Sequence, residues 1–337
     1  MNVTSEAPSG VFQFLPVDRV VFGPGKLDEL PRQVEQLGAS RAFVITGRSL
    51  ATKTDLVRRV EALLGERHAG TYAETGQHVP SQGVIHATRR ARAAGADLLV
   101  SFGGGSPVDC TKLVAWALAE GFDDAAELSA RADRTNRIPP SRPPAPHIAI
   151  TTTLSAAEFT LSAGISNEET GYKGSYGHPS LAPKVVILDP ELTHATPNRL
   201  WTSTGIKALD HAVERLYSRH RQPLTNALCR EAIRLLLRHL PASTAATGNT
   251  TADRGQCQLA AWLSIFGMNN VRTGLSHALG HQLGARCHVP HGITSCVTMP
   301  HVVAFMGWKS PEELVDLAPA FSVAPDDPNT GTAIAGQ

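Results

Sequence analysis

Hydrophobic runs and amphipathic segments alternate along the first part of the chain. The runs at 42–46, 97–102, 147–150 and 185–188 are mostly apolar, and the segments between them repeat apolar residues at helical spacing. Strands that are covered on both faces of a parallel sheet read as such runs, and strands that alternate with helices form α/β folds. The pattern predicts a doubly wound, mainly parallel sheet, with further short strands at 19–22 and 70–74.

The pattern changes near residue 190. Beyond that point apolar residues recur at helical spacing, for example over 224–240 and 253–268, and periodicity of this kind predicts amphipathic helices. We therefore predict an α/β domain over residues 1–190, followed by an all-helical domain over residues 191–337.

Composition narrows the class of protein. The 337 residues carry a net charge of +1, only 5% are aromatic, and there is no basic run, which argues against a nucleic-acid partner. The five cysteines are scattered without a CxxC pair, which is typical of reduced thiols in the cytoplasm. No apolar run approaches the length of a membrane span. We expect a cytoplasmic homodimer that acts on a small molecule.

Residues suited to phosphate follow two of the predicted strands. The turn Gly103-Gly104-Gly105-Ser106 joins a strand to a helix that contains Asp109. Glycine lets the backbone approach a phosphate closely, and a helix N-terminus offers N–H groups to an anion. Thr151 and Thr152 follow another strand, at the edge where open α/β sheets bind ligands. The alternatives are a glycine-rich turn without a ligand and ordinary threonine turn chemistry.

The residues that follow the strand at 42–46 bear on whether the protein binds NADH or NADPH. A dinucleotide fold specific for NAD carries an acidic residue there, which accepts the ribose hydroxyls. This chain has Gly47 and Arg48 instead. Because Arg48 can attract a 2′-phosphate, we expect either NADH or NADPH to be accepted. Arg48 can equally be a solvated surface residue.

A second polar group lies in the helical half. Lys207 and His211 are four residues apart, as are His277 and His281, and His291 follows later. Residues four apart share a helix face. A metal site of this kind would normally have a carboxylate at position 207. An ammonium group has three donors and no lone pair, so Lys207 cannot ligate a cation.

These segments together resemble the iron-dependent (group III) alcohol dehydrogenase superfamily, and most closely its maleylacetate reductase branch. The resemblance covers about residues 20–305, and His78-Val79-Pro80 favours that branch. The other motifs are Phe22-Gly-Pro-Gly25, Gly103–Ser106 with Asp109 and Lys112, Thr151-Thr152 with Ala156-Ala-Glu158, Asp189-Pro-Glu-Leu-Thr193, Gly205 with His211-Ala-Val-Glu214, His277-xxx-His281 and Pro290-His291.

The resemblance implies roles for individual residues. Gly104, Gly105 and Ser106 would hold the pyrophosphate. Thr151, Thr152 and Lys173 would contact the nicotinamide ribose side, with the active site in the cleft between the two halves. Metal-using members hold the ion by an Asp at the position of Lys207 and by histidines that match His211, His277 and His291. Maleylacetate reductases lack that Asp and are regarded as working without a metal.

Our hypothesis is that the charge of Lys207 replaces that of the metal ion: it stabilises negative charge that develops on a carbonyl oxygen, or it binds a substrate carboxylate. His281 is the candidate general acid, since imidazole titrates near neutral pH, and His211 and His277 would bind anionic groups of an acidic substrate. One alternative is a metal-dependent alcohol or aldehyde dehydrogenase in which His211, His277 and His291 hold Fe or Zn. Another is a relative of the same fold with a non-redox activity.

Overall fold

The computed structural model describes residues 9–132, 138–168, 170, 171, 173–287, 289, 291–324, 327 and 329–337. Six strands form one parallel sheet in the order β1-β8-β5-β4-β2-β3. Their bounds are β1 Arg19–Phe22, β2 Ala42–Thr46, β3 His68–Tyr72, β4 Leu98–Gly103, β5 His147–Thr151 and β8 Val185–Leu188. An antiparallel hairpin of β6 (Ser162–Ser166) and β7 (Lys173–Gly177) stands apart from the sheet.

Helices cover both faces of the sheet, as the apolar strands require. They are α1 Leu30–Gln36, α2 Arg48–Lys53, α3 Leu56–Leu64, α4 Ser81–Ala93, α5 Gly105–Glu120 and α6 Ala125–Ala132. Successive residues of a strand point to opposite faces. Val44 of β2 accordingly packs with α1 and α3, whereas Phe43 and Ile45 pack with α4 and α5.

After β8 the described elements are helical. They are α7 Asn198–Leu216, α8 Pro223–Ala242, α9 Thr250–Ile265, α10 Leu275–Arg286, α11 His291–Lys309 and α12 Thr330–Ala335. The predicted fold class is thereby confirmed. The strand that we expected at 70–74 lies two residues earlier, and the β6–β7 hairpin was not predicted. Within the described ranges, no helix is long and apolar enough to cross a membrane.

The two halves meet at the carboxyl ends of the strands. One apolar cluster contains Leu154 and Leu188 from the first half and Trp201 from α7. The Thr204 hydroxyl of α7 accepts a hydrogen bond from the backbone N–H of Leu154 at 3.2 Å. Thr204 precedes Lys207 by three residues, so the lysine lies one helical turn from the strand ends.

Candidate active site

The glycine-rich turn has the shape that the sequence predicts. Gly103 ends β4 with φ of 136°, and Gly105 begins α5. A Cβ at Gly104 would lie 3.2 Å from Thr153, and one at Gly105 would lie 3.0 Å from the Ser155 hydroxyl. Larger residues would therefore fill the space above the turn. No described side chain caps the N-terminus of α5, which leaves its first N–H groups to an anion.

Hydroxyl groups surround this turn. Thr153 Oγ1 and Ser155 Oγ are buried and find no hydrogen-bond partner among the described residues, and the same holds for Thr46 Oγ1 at the end of β2. A buried polar atom without a partner is costly, and a diphosphate at the turn would supply acceptors for the two hydroxyls that adjoin Gly104 and Gly105. The residues present thus fit a dinucleotide. Ser106, in the first turn of α5, is only partly exposed.

Asp109 and Lys112 of α5 connect this helix to the chain segment that follows β5. The ammonium of Lys112 is fully buried and donates to the carbonyl of Ala157 at 2.7 Å and to Thr160 Oγ1 at 2.7 Å. Asp109 lies 3.8 Å from that ammonium and accepts from the backbone N–H of Gly164 at 3.3 Å. Burial raises the pKa of Asp109 to about 6 and lowers that of Lys112 to about 8. The pair fixes β6 and the turn before it against α5.

Glu158 belongs to the same buried group. Its Oε1 accepts from the Thr151 hydroxyl at 3.2 Å, and its Oε2 has no partner among the residues described. Burial raises the pKa of Glu158 to about 7. Thr151 is fully buried, and Thr152 donates its N–H to the Gly103 carbonyl at 2.9 Å. The two threonines therefore tie β5 to the glycine turn, and their contact with a cofactor stays a prediction.

The remaining predicted cofactor residues lie at the rim. Gly47 directly precedes α2. The guanidinium of Arg48 is exposed and lies 3.8 Å from the Glu74 carboxylate. Lys173 begins β7, and its side chain lies outside the described part of the chain.

Lys207 and two of the predicted histidines come together in the helical half. Lys207 Nζ lies 2.9 Å from His277 Nδ1, although the residues are 70 positions apart. The ring centroids of His211 and His277 are 5.9 Å apart. Lys207 and His211 are buried, with 3% and 4% of their surface exposed. A lysine is buried in this way only when its charge is compensated.

Two carboxylates of α7 provide that compensation. Asp210 Oδ2 lies 3.5 Å from Lys207 Nζ and accepts from the Ser276 hydroxyl at 3.1 Å. Helix geometry alone suggests that Asp210 points away from the face of His211, but its carboxylate does reach the lysine. Glu214 Oε1 accepts from the backbone N–H of His277 at 3.0 Å, which fixes the start of α10 on α7.

Burial and the neighbouring charged groups shift pKa values within this cluster. Burial lowers the pKa of Lys207, and the carboxylates of Asp210 and Glu214 oppose that shift. Burial and the neighbouring Asp210 raise the pKa of Glu214. Arg215 is also buried, donates to the His211 carbonyl at 2.8 Å, and has its pKa lowered by burial. Two acidic and two basic side chains thus lie together in one buried region.

The arrangement of Lys207 and His277 does not fit a divalent cation. While Lys207 is charged it only donates, so in that state His277 Nδ1 accepts the hydrogen bond and the proton of a neutral ring is on Nε2. The ring then has no lone pair left for a metal. A cation bound to His277 would also lie close to the Lys207 ammonium, which would repel it.

For two of the predicted site residues the structure describes the backbone but not the side chain. His281 lies in α10 and His291 begins α11, and both side chains lie outside the described residues. Their approach to Lys207 therefore stays a prediction.

Sequence reasoning assigned no role to Asp210 and Glu214 of this cluster, and it included Thr153 and Ser155 only as members of a hydroxyl-rich stretch at the end of a strand. A signal for the first two exists, since Lys207, Asp210 and Glu214 are spaced three and four apart along one helix face. The position of the Thr153 and Ser155 hydroxyls against the glycine turn has no such signal, because it depends on how the turn after β5 folds back on α5.

Comparison with known proteins identifies the family to which the chain belongs. The family model described as iron-containing alcohol dehydrogenase matches residues 17–190, and the model of the C-terminal part of that family matches residues 201–335. Maleylacetate reductase 2 of Cupriavidus pinatubonensis is 34% identical over 98% of this chain and 83% of its own length. The 1,3-propanediol dehydrogenase of Klebsiella pneumoniae is 31% identical over 91% of this chain and 79% of its own.

A solved structure extends the likeness to three dimensions. The crystal structure of maleylacetate reductase from Rhizobium sp. strain MTP-10005 superposes with a TM-score of 0.78, at 30% identity, over 96% of this chain and 82% of that one. The chain belongs to the iron-containing alcohol dehydrogenase family. It is an NAD(P)-dependent oxidoreductase of that family.

Proposed function

We propose that this enzyme reduces a small acidic oxo or enone compound with NADH or NADPH, in the manner of a maleylacetate reductase and without a metal ion. Relatives named maleylacetate reductase support the substrate class. The observation that carries the proposal is the buried ammonium of Lys207, 2.9 Å from His277 Nδ1, in a family named for iron.

The chemistry needs one hydride and one proton. When the dinucleotide is bound, its reduced nicotinamide would supply the hydride. For an enone substrate, the hydride adds to the carbon–carbon double bond and the electron pair of that bond moves toward the carbonyl oxygen. The charge of Lys207 stabilises the resulting enolate, and a fixed donor of this kind typically contributes about a hundredfold or more in rate.

The second hydrogen arrives as a proton. We propose that His281 delivers it to the adjacent carbon of an enone, or to the oxygen of a simple carbonyl, because imidazole exchanges protons near neutral pH. We propose that His277, with its proton on Nε2, binds a substrate carboxylate together with His211 and His291. The product has gained two hydrogen atoms, and the cofactor leaves oxidised.

The metal-dependent alternative has its own support. The rings of His211 and His277 are neighbours, and a dehydrogenase named for 1,3-propanediol is 31% identical. In that reading Lys207 would turn away, and His211, His277 and His291 would hold Fe or Zn. We favour the reading without metal because Lys207 is buried among carboxylates that hold it in place.

A substrate screen separates these readings. Purified enzyme is mixed with NADH or NADPH and with oxo-acids, enones or simple aldehydes, and loss of nicotinamide absorbance is followed with and without EDTA. We expect acidic enones to be reduced at the same rate in EDTA. A rate that EDTA abolishes and zinc or iron restores would contradict the proposal, as would turnover of simple aldehydes alone.

Two further proposals concern the whole molecule. We propose that residues 1–190 and 191–337 act as two domains with the substrate in the cleft between them. We also propose that the enzyme works as a homodimer, which sedimentation equilibrium tests directly.

A further inference from the structure

The strand order gives the direction of a bound dinucleotide. The glycine turn follows β4, and the helical half with Lys207 contacts the chain just after β5. On the other side of β4 lie β2 and then β3. A dinucleotide whose pyrophosphate lies at the turn and whose nicotinamide points toward Lys207 must extend its adenosine half over the ends of β2 and β3.

Two opposite charges stand at that end. Arg48 begins α2 directly after β2, and Glu74 follows β3. Their side chains are 76% and 60% exposed, and Arg48 Nη2 lies 3.8 Å from Glu74 Oε1. The backbone holds the pair in place, since the N–H of Thr75 donates to the Thr46 carbonyl at 3.2 Å. Leu50 of α2 would lie 3.8 Å from a Cβ on Gly103, so this helix adjoins the turn.

We propose that Glu74 is a specificity-determining residue that selects NADH over NADPH. The acidic residue expected at the end of β2 is absent there, and Glu74 supplies a carboxylate from the neighbouring strand. A carboxylate accepts hydrogen bonds from the ribose hydroxyls of NADH and repels the 2′-phosphate of NADPH. This inference rests on the proposed function only in its use of a nicotinamide dinucleotide.

Arg48 has the opposite preference and is restrained by its partner. A guanidinium binds a phosphate through paired donors, but in this structure the Glu74 carboxylate already faces it. Removal of the Glu74 charge frees Arg48 for a 2′-phosphate. Removal of the Arg48 charge leaves Glu74 alone, which increases the repulsion. Because both groups are exposed, these effects decrease as salt increases.

The test compares the dissociation constants of NADH and NADPH, measured by fluorescence titration without substrate, in the wild type, Glu74→Gln and Arg48→Gln. The matched control is Asp28→Asn, which removes one exposed carboxylate from another ion pair of the same half, with Arg59 at 2.8 Å. We expect the wild type to prefer NADH. Glu74→Gln should shift the ratio of the two constants toward NADPH by about tenfold or more, and Arg48→Gln should shift it the other way.

The outcomes distinguish this inference from the proposed function. If both cofactors bind and Glu74→Gln changes the ratio no more than Asp28→Asn does, Glu74 does not select the cofactor, and the proposed function stands. A wild type that prefers NADPH would likewise overturn the inference. If neither cofactor binds, the inference and the proposed reductase activity are both wrong.

Discussion

The carboxylate of Asp210 lies 3.5 Å from the ammonium of Lys207, and both groups are buried. The two residues are three positions apart on α7, so the helix that carries the cation also carries its counter-charge. Desolvation of a lysine is expensive unless an opposite charge and hydrogen bonds compensate it. Asp210 therefore provides the opposite charge that a buried ammonium at position 207 requires.

Removal of that charge should slow the chemical step. In Lys207→Met we expect the hydride-transfer rate, followed in a single turnover by stopped flow, to fall by about a hundredfold or more, because the developing negative oxygen loses its partner. The dissociation constant of the cofactor should stay nearly constant, since the glycine turn is untouched. Lys207→Arg keeps the charge and should retain more of the rate than the methionine variant. Equal rates in wild type and Lys207→Met would exclude the role that we assign to the lysine.

A carboxylate at the same position should create a metal site. Lys207→Asp replaces a donor by an acceptor and frees Nδ1 of His277 from its hydrogen bond, so that imidazoles and a carboxylate can bind Zn²⁺ together. We expect this variant to retain about one zinc per chain after dialysis, measured by elemental analysis, and to melt at a higher temperature with zinc present. Lys207→Asn is the control of matched size and should bind zinc more weakly. No difference between the two variants would show that the histidines do not form a ligand set.

The ion pair of Lys207 and Asp210 should contribute to the free energy of unfolding. Asp210→Asn removes a neighbouring carboxylate from a buried ammonium and should lower the free energy of unfolding by about 3 kcal/mol. The double variant Lys207→Met with Asp210→Asn should be less destabilised than the sum of the single changes, by about 1 kcal/mol or more. Urea unfolding of all four proteins gives this coupling. As a control, Asp316→Asn breaks two exposed pairs, with Arg230 and Arg221, and should cost under about 1 kcal/mol. Additive effects at 207 and 210 would argue against the pair.

Glu158 should make stability depend on pH near neutrality. Burial raises its pKa from the ordinary value of 4.5 to about 7 in the folded protein. The folded state therefore favours the protonated form. This contribution to stability is fully present below the unfolded pKa and is lost as the pH rises through 7. Glu158→Gln cannot ionise, so between pH 5 and pH 7.5 the free energy of unfolding of the wild type should decrease relative to that of the variant. Parallel curves for the two proteins over this range would show that Glu158 does not titrate as described.

Much of the α/β half could be predicted because local pattern and tertiary burial agree there. The run at 42–46 is apolar since β2 is covered on both faces, and its predicted bounds match the strand. The β6–β7 hairpin gave no comparable signal. Only Ala163 and Ile165 of β6 point inward, and Tyr176 of β7 is held by stacking on Trp116 at 3.6 Å between ring centroids. That partner lies far away in the sequence, where spacing arguments do not reach.

The candidate site shows the same limit. Residues four apart predicted the pairs Lys207 with His211 and His277 with His281, because helix geometry is local. That Lys207 and His211 meet His277 follows from the packing of α10 on α7, which no spacing encodes. The acidic residue sought after β2 was absent, and the carboxylate found there comes from the neighbouring strand. Sheet order, which sequence alone did not give, decides that neighbour.

The hydrogen bond from the His277 backbone to Glu214 has a wider consequence. It attaches the histidine-bearing helix to the lysine-bearing helix through a main-chain atom, so the register of the two does not depend on the side chain at position 207. A change of side chain at position 207 should therefore alter the chemistry of the cluster while the two helices keep their register. The packing of α10 on α7 is in this respect separate from the chemistry at position 207.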